Sequence, residues 1–499
     1  MRFLIFYLYL CTLKSYNIII MCMIIGRKKE KAQLEGIINS DKPEFVAVYG
    51  RKRVGKTFFV NEMIREHVVF RHTGLSPYDE HRRVTLKDQL QNFQYSLLRY
   101  GMENIPQPKS WSEAFLLLQQ LLEHKSNGQR QVVFIDELPW MDSARSGFLA
   151  ALDAFWHGWA HSRRDLCLIV TGSATSWVVD NFLSNKGELY GCLTSEIHLL
   201  PFTLGECEEF FQSRGVGMSR FNITQSYMIM GGIPYYMNYF NPSCGFAENI
   251  DSLFFAEKAK LKDEFEILFK TIFDNPEACM NIVRALGKRH GGYTREQIAK
   301  QLGCSPNGDF TKCLKALMAS DIISKYLPLG CGKREEHYKL VDAFCWFWLH
   351  FKEYKGVSQP DYWQNHILES DISSWRGIAF EELCFRHVRQ IKQALQVAGV
   401  ASVESSYVSR GEAGGEGMQI DLIINRQDDV VNACEMKFAK APFTVSNAYA
   451  QTIELRREAI EMLIPRKAIH ATLVTAYPMN RNIHSDVFQS QVVLADLFV

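Results

Sequence analysis

Residues 44–59, EFVAVYGRKRVGKTFF, decide the fold. An apolar run, Phe45 to Tyr49, enters Gly50-Arg51-Lys52-Arg53-Val54-Gly55-Lys56-Thr57, and Phe58 opens a helical pattern. The spacing G-x-x-x-x-G-K-[ST] between a strand and a helix is that of a loop that cradles phosphate. Glycines let the backbone curl so that its N–H groups face inward. The helix N-terminus behind them favours negative charge. Gly50, Arg51, Arg53, Val54, Gly55, Lys56, Thr57 and Phe58 are therefore the candidate ATP-binding set. Lys56 reaches the β- and γ-phosphates, and the Thr57 hydroxyl ligates Mg2+. A glycine-containing turn with a chance lysine would give the same letters, so the context decides.

That context is Gln131 to Leu138, QVVFIDEL. Four apolar residues ending in two acids predict a buried parallel strand whose C-terminal end delivers carboxylates. Asp136 suits a Mg2+ ligand, usually through water, and Glu137 suits the residue that polarises attacking water. A further strand, Leu166 to Thr171, ends at Gly172-Ser173-Ala174. Ser173 is a candidate for contact with the γ-phosphate or for positioning water. It is equally a candidate cap for the helix begun by Ser176 and Trp177.

The whole chain sets the bounds. Its 499 residues suggest roughly three domains. The formal net charge of +1 gives no global basic field, so any nucleic-acid contact must come from local patches. The 13 cysteines include no C-x-x-C pair, which argues against a zinc ribbon and a secreted disulfide framework. They read as reduced thiols in a cytoplasmic protein. Residues 1–23 read as an upstream-extended start or a disordered hydrophobic segment, with Met21 or Met23 as initiator. Lys14, Ser15 and Asn17 interrupt their apolar run, and a membrane anchor is the lesser reading.

GRKRVGKT, FIDEL, TGSATS, LYGCLTSEIHLLPF and Gly231-Gly232-Ile233-Pro234-Tyr235-Tyr236 together resemble the archaeal-type ATPases, an AAA+/STAND-like family. Gly26-Arg27 ahead of a helix is similar to the adenine-side segment of AAA+ proteins. The resemblance covers about residues 24–275. It implies a P-loop core over 24–200 and a helical lid over 201–275. Family members commonly carry arginines after the L-Y segment, where this chain has Cys192 and Glu196. An arginine finger supplies roughly 10³–10⁵ in rate, so the departure points to slow turnover. Arg214, Arg220 or a partner's arginine are the possible substitutes.

Residues 276–357 read as a winged helix with an aromatic connector. Thr294 caps a helix, Ala299 sits at a tight crossing and Gly303 at a turn. The wing lies near Gly330 to Lys333. Lys312, Lys315, Lys333 and Arg334 are candidate phosphate contacts, though such modules also bind proteins. His337 to His350 reads as an aromatic interdomain core. After a linker around Pro360, residues 366–499 form the last domain, with a flexible turn at Gly411 to Gly417. Asp421 and Glu435-x-Lys437 fall on two adjacent strands, and strand periodicity puts Glu435 and Lys437 on one face. Two carboxylates there would hold Mg2+ as a Lewis acid, and Lys437 would help activate water. A ladder of exposed charges on a hairpin is the plainer alternative. This segment resembles the PD-(D/E)xK nuclease-like domain that accompanies these ATPases. The resemblance implies roles for Glu381, Asp421, Glu435 and Lys437, with Gln451 as a polar contributor. Strands Ala468 to Thr475 and Gln491 to Leu497 would complete the sheet.

The expected architecture is α/β throughout. A P-loop NTPase parallel sheet with a helical lid is followed by a winged helix and a restriction-endonuclease-like domain. The expected function is a Mg2+-dependent ATP switch acting with DNA. A metal-dependent nuclease regulated by ATP, and a nucleotide-binding module with a protein partner or a homo-oligomer, are the alternatives.

Overall fold

The computed structural model describes residues 24–77, 83–143, 145–173, 176–183, 189, 191–332, 335–409 and 418–499. The expected start segment, the Gly411 to Gly417 turn, Lys333 and Arg334 lie outside them. Contacts divide the chain into two compact units. The first is the chain up to Pro201 with Glu266–Glu277 and Lys312–Asp321. The second is Phe202–Phe265, Ala278–Thr311 and Ile322–Val499. Among the described residues no helix is long and apolar enough to cross a membrane.

The first unit contains α1 (Lys28–Ile38), β1 (Glu44–Gly50), α2 (Lys56–Ile64), β2 (Val68–Thr73), α3 (Leu86–Arg99), α4 (Trp111–His124), β3 (Gln131–Asp136), α5 (Phe148–Gly158), β4 (Leu166–Ser173) and β5 (Ser195–His198). The strands form one sheet in the order β2-β3-β4-β1-β5, all pairs parallel. Parallel strands need helical crossovers, and these cover both faces. Phe45, Ala47, Val133, Ile135, Leu168 and Val170 face the core shared with α3, α4 and α5. Their neighbours Val46, Val48, Val132, Phe134 and Ile169 face α1 and α2. Period-two alternation thus gives the inner strands β1, β3 and β4 two buried faces, and β3 and β4 are buried along their whole length. α3 begins at Leu86, where Thr85 and Asp88 form a capping box.

The second unit is built around α7 (Arg220–Met230), which follows α6 (Leu204–Ser213). Every residue of α7 from Ile223 to Met230 is buried. Of its buried polar residues, Thr224 donates to the Arg220 carbonyl (2.8 Å) and Gln225 to Asn222 Oδ1 (2.9 Å), both within the helix. Ser219 caps its start, and Gly231 ends it with φ 67°. A small antiparallel sheet follows, β6 (Tyr293–Thr294), β7 (Ile323–Tyr326) and β8 (His337–Leu340), in the order β6-β8-β7. Thr294 caps α8 (Arg295–Gln301) in a capping box with Gln297. Phe344 and Phe347 are buried in a ring cluster with Trp363 and Trp375.

The last part of this unit runs α9 (Ser370–Arg386), β9 (Ser402–Ser409), β10 (Met418–Arg426), β11 (Val430–Lys437), α10 (Asn447–Leu463), β12 (Ala468–Thr475) and β13 (Ser490–Val493). The sheet is mixed, in the order β13-β12-β11-β10-β9: β9, β10 and β11 pair antiparallel, and β12 and β13 add parallel. The strand expected to reach Leu497 stops at Val493. Asp496 accepts from the Val493 N–H (2.8 Å) and turns residues 494–498 into a 3-10 helix. The stacked rings of Phe221 and Phe438 (4.5 Å) join α7 to the end of β11.

His387 closes α9. Its Nδ1–H donates to the Leu383 carbonyl (2.9 Å), and its Nε2 accepts from the Leu204 N–H (3.1 Å). Burial holds its pKa down to about 4. The unfolded imidazole takes a proton near pH ~6.5. The neutral ring therefore contributes stability that is complete above that pH and is lost as pH falls through 4. Melting between pH 7 and pH 4 should show a falling Tm. His387→Gln, which keeps a donor and an acceptor without titrating, should remove up to ~3 kcal/mol of that fall.

Candidate functional site

The C-terminal edge of the parallel sheet gathers the first set of side chains. β4 lies between β1 and β3, so Ser173, opposite Gly50 in register, stands between the phosphate loop and the acidic strand. α2 starts at Lys56, and its first helical bond runs from the Phe59 N–H to the Gly55 carbonyl (2.9 Å). The N–H groups of Lys56, Thr57 and Phe58 thus lack helical acceptors and form the open end of the helix. Gly55 takes φ 97°, and Arg53 takes φ 73° in the same loop. The Phe58 side chain is exposed, so only its backbone serves the loop, while Arg51 and Val54 are buried. Arg27 is buried and donates to the carbonyls of Val54 (3.2 Å) and Leu200, fixing the loop from the N-terminal side.

Gly50 is required by a close approach. A Cβ there would lie 2.3 Å from the Leu199 carbonyl oxygen, and backbone cannot swing aside. Gly50→Ala should cost ~3 kcal/mol or more, read as a lowered Tm of the whole chain.

Lys56 is buried with its ammonium on the carbonyls of Gly50 (3.1 Å) and Arg51 (3.2 Å). Burial brings its pKa down to about 8, against the raising effect of Glu137 and Asp136. Thr57 donates to Asp136 at 3.1 and 3.0 Å from the two carboxylate oxygens. Thr171, which the sequence reading did not single out, also donates to Asp136 and accepts from the Glu137 N–H (3.2 Å). Glu137 leaves the strand with φ 51°. Burial raises its pKa, opposed by Lys56, and the Ser173 backbone N–H faces its carboxylate. A hydroxyl, a carboxylate and a buried ammonium therefore meet at one point, the donor set that suits Mg2+ and a polyphosphate.

Cys192 stands in none of this. Its Sγ lies 3.2 Å from His157 Nε2 and 3.7 Å from Asp153 Oδ1. In the second unit, Arg220 is held by Glu208 through two hydrogen bonds of 2.8 Å.

The second set lies on α9, β10 and β11. Asp421 and Glu435 are buried and face one another across the strand pair, with Glu381 from α9 beside them. Asp421 accepts from the Met436 N–H (3.3 Å), and Gln419 bridges to Glu381 (3.5 Å) and Asp421 (3.4 Å). Glu435 pairs with Lys437 (2.8 Å), accepts from the Tyr449 hydroxyl (2.6 Å) and binds Arg456. Burial and the converging acids raise Glu381 to about 8 and Asp421 to about 6. Burial also pushes Glu435 up, but Lys437 and Arg456 outweigh it and its pKa falls. His290 Nδ1 lies 3.4 Å from Glu381, and Lys339 binds the adjacent Glu382 (2.7 Å).

Gln451 does not join this set. It is exposed, and Tyr449 and Arg456 are what α10 brings in. Those two are seven residues apart, on the face that carries buried Ile453 and Ile460. Gln451 projects from another face. Ser446 as cap fixes that phase, so the helical period from a correctly placed cap would have found both residues.

Residues 25–240 match the family described as "ATPase domain predominantly from Archaea". The uncharacterized protein MJECL04 of Methanocaldococcus jannaschii is 22% identical over 413 residues, 82% of this chain and 85% of that protein. Among solved structures, the Walker-type ATPase PABY2304 of Pyrococcus abyssi shares 17% identity with a TM-score of 0.46, covering 65% of this chain and 95% of its own. The ORC2 protein of Aeropyrum pernix, in ADPNP–ADP complexes, shares 12% with a TM-score of 0.40, covering 64% and 92%. Residues 25–240 are thus similar to archaeal-type ATPase domains.

Proposed function

We propose that the chain is an AAA+-type ATPase that works as a Mg2+-dependent nucleotide switch acting with DNA. The observation that carries the ATPase part is the Thr57 hydroxyl on both oxygens of Asp136 beside the buried Lys56. Thr57 and Asp136 would hold Mg2+, which when bound neutralises phosphate charge. The N–H groups of Gly55 to Phe58 and the Lys56 ammonium would bind the polyphosphate. Glu137 would take a proton from the attacking water, and Ser173 would orient that water or touch the γ-phosphate. The small sheet with its Thr294-capped helix supports a winged helix, a module that meets either DNA or protein. Lys312 and Lys315 fall in residues grouped with the first unit.

A second reading has its own observation. Glu381 from α9 converges with Asp421, Glu435 and Lys437 of the inner strands β10 and β11, and this supports a PD-(D/E)xK-like metal-dependent nuclease regulated by ATP. Such a site handles phosphodiesters, which is why DNA is the partner class proposed for both readings.

The test is ATP hydrolysis by the purified chain with Mg2+, with and without duplex DNA. Turnover that rises with DNA supports the switch. Turnover indifferent to DNA, with no cleavage of DNA, would remove DNA from the proposal and leave a nucleotide-binding module with a protein partner.

A further inference from the structure

Among the described residues, Asp153, His157 and Cys192 bring three metal-ligating atoms within 4.8 Å of one another. They lie in the first unit and take no part in the phosphate-loop site. Asp153 and His157 are four apart on α5 and so share a face. Cys192 comes from the segment just ahead of β5, far away in sequence.

The geometry is specific. The edges of the donor triangle are 3.2 Å (Cys192 Sγ to His157 Nε2), 3.7 Å (Sγ to Asp153 Oδ1) and 3.6 Å (Nε2 to Oδ1). A tetrahedral zinc ion with Zn–S of about 2.3 Å and Zn–N or Zn–O of about 2.0–2.2 Å sets the sulfur edges at ~3.5–3.7 Å and the N–O edge at ~3.3–3.6 Å, so only the Sγ–Nε2 edge needs to lengthen, by ~0.3 Å. The three atoms thus already outline one face of a zinc tetrahedron. A helical Asp–His pair linked to a thiol by ordinary hydrogen bonds would need only two of the three edges short. The Cys192 side chain is buried, whereas the Asp153 and His157 side chains are 43% and 53% exposed. The fourth corner therefore opens to solvent, where water can complete the shell. His161, in the turn that follows α5, stacks on His157 with ring centroids 6.3 Å apart. A thiolate–imidazole set selects zinc over magnesium, so this site would not compete for the ion of the phosphate loop.

We propose that Asp153, His157 and Cys192 form a zinc site that ties α5 to the strand entry before β5. Binding to the folded state alone also stabilises it by mass action.

The test uses the full chain, freed of metal by a chelator and then given Co2+ alone as a spectroscopic probe. The expected result is one equivalent of Co2+ with tetrahedral visible bands and a thiolate-to-metal charge-transfer band. Zn2+ should displace it and raise Tm. Cys192→Ser should abolish the charge-transfer band. His157→Ala should weaken binding by at least about tenfold. Cys304→Ser, at an exposed cysteine elsewhere, should change nothing. Absence of the band in the wild-type chain overturns the proposal, whatever the variants do. Survival of the band in a folded Cys192→Ser chain overturns it as well.

Discussion

Glu137→Gln is expected to leave ATP binding intact and to lower turnover by about 10²–10⁴-fold, the usual contribution of a positioned general base. Glutamine keeps the size and the hydrogen-bonding reach of the side chain, so the Ser173 N–H retains its acceptor. What it loses is the capacity to take a proton. Burial already raises the Glu137 pKa, against the opposing charge of Lys56, which makes the carboxylate a better base. Lys56→Ala is expected to act differently. It removes a buried ammonium that rests on the Gly50 and Arg51 carbonyls and would meet the phosphates, so both binding and turnover should fall. Loss of one preorganised charge contact costs about 10²–10³ in rate. Nucleotide binding by a fluorescent analogue, read beside steady-state phosphate release, separates the two variants. Full turnover in Glu137→Gln would return that acid to simple turn chemistry.

Asp421→Asn is expected to abolish Mg2+-dependent cleavage of plasmid DNA, by about 10³-fold or more, if the acidic set of the second unit is a nuclease. The reason is electrostatic. Two buried carboxylates and the partly buried Glu381 converge there, and Glu381 and Asp421 hold their protons above the ordinary carboxylate range. A divalent cation relieves that repulsion and supplies several kcal/mol of charge stabilisation to a phosphodiester transition state. Asparagine keeps the Met436 N–H bond but removes one charge. Arg456→Gln tests the same site from the other side. Arg456 and Lys437 both hold Glu435, so a cation must compete with them for that carboxylate. Freed of Arg456, the site should need less Mg2+ for half-maximal thermal stabilisation. A wild-type chain that neither cleaves DNA nor gains stability from Mg2+ would reduce the set to a buried ion-pair cluster.

The parts of this molecule that were legible in its sequence are those whose chemistry is local. The phosphate loop needs only a strand, two glycines, Lys56 and Thr57 in a row. The acidic strand end needs only an apolar run stopping at Asp136. Strand alternation likewise placed Glu435 and Lys437 together. Contacts made by pairing across the sheet were not legible. Thr171 reaches Asp136 because β4 lies beside β3, and no spacing in the chain encodes that neighbour. The same holds for His290 beside Glu381, and for Cys192 beside Asp153 and His157. Gln451 was misjudged for a different reason. Its distance from the strand was right, but the phase of the helix was not fixed until Ser446 was seen as its cap.

The packing of residues 494–498 bears on how the second unit comes into being. Their 3-10 helix lies against α6, close enough that a Cβ on Gly205 would sit 2.6 Å from the Phe498 carbonyl oxygen, and Arg220 covers the Phe498 ring at 4.7 Å. The first helix of the unit packs on α7 close by in sequence, but its contact with residues 494–498 forms only after almost all of the rest has been synthesised. Contacts so distant along the chain raise the contact order and slow folding. On the ribosome α6 and α7 wait with their contacts to the C-terminal residues unmade, a window in which exposed apolar surface invites aggregation. A fragment cut at residue 366 would lack the α6 and α7 surfaces altogether, so expression of the tail by itself should give far less soluble protein than expression of the whole chain.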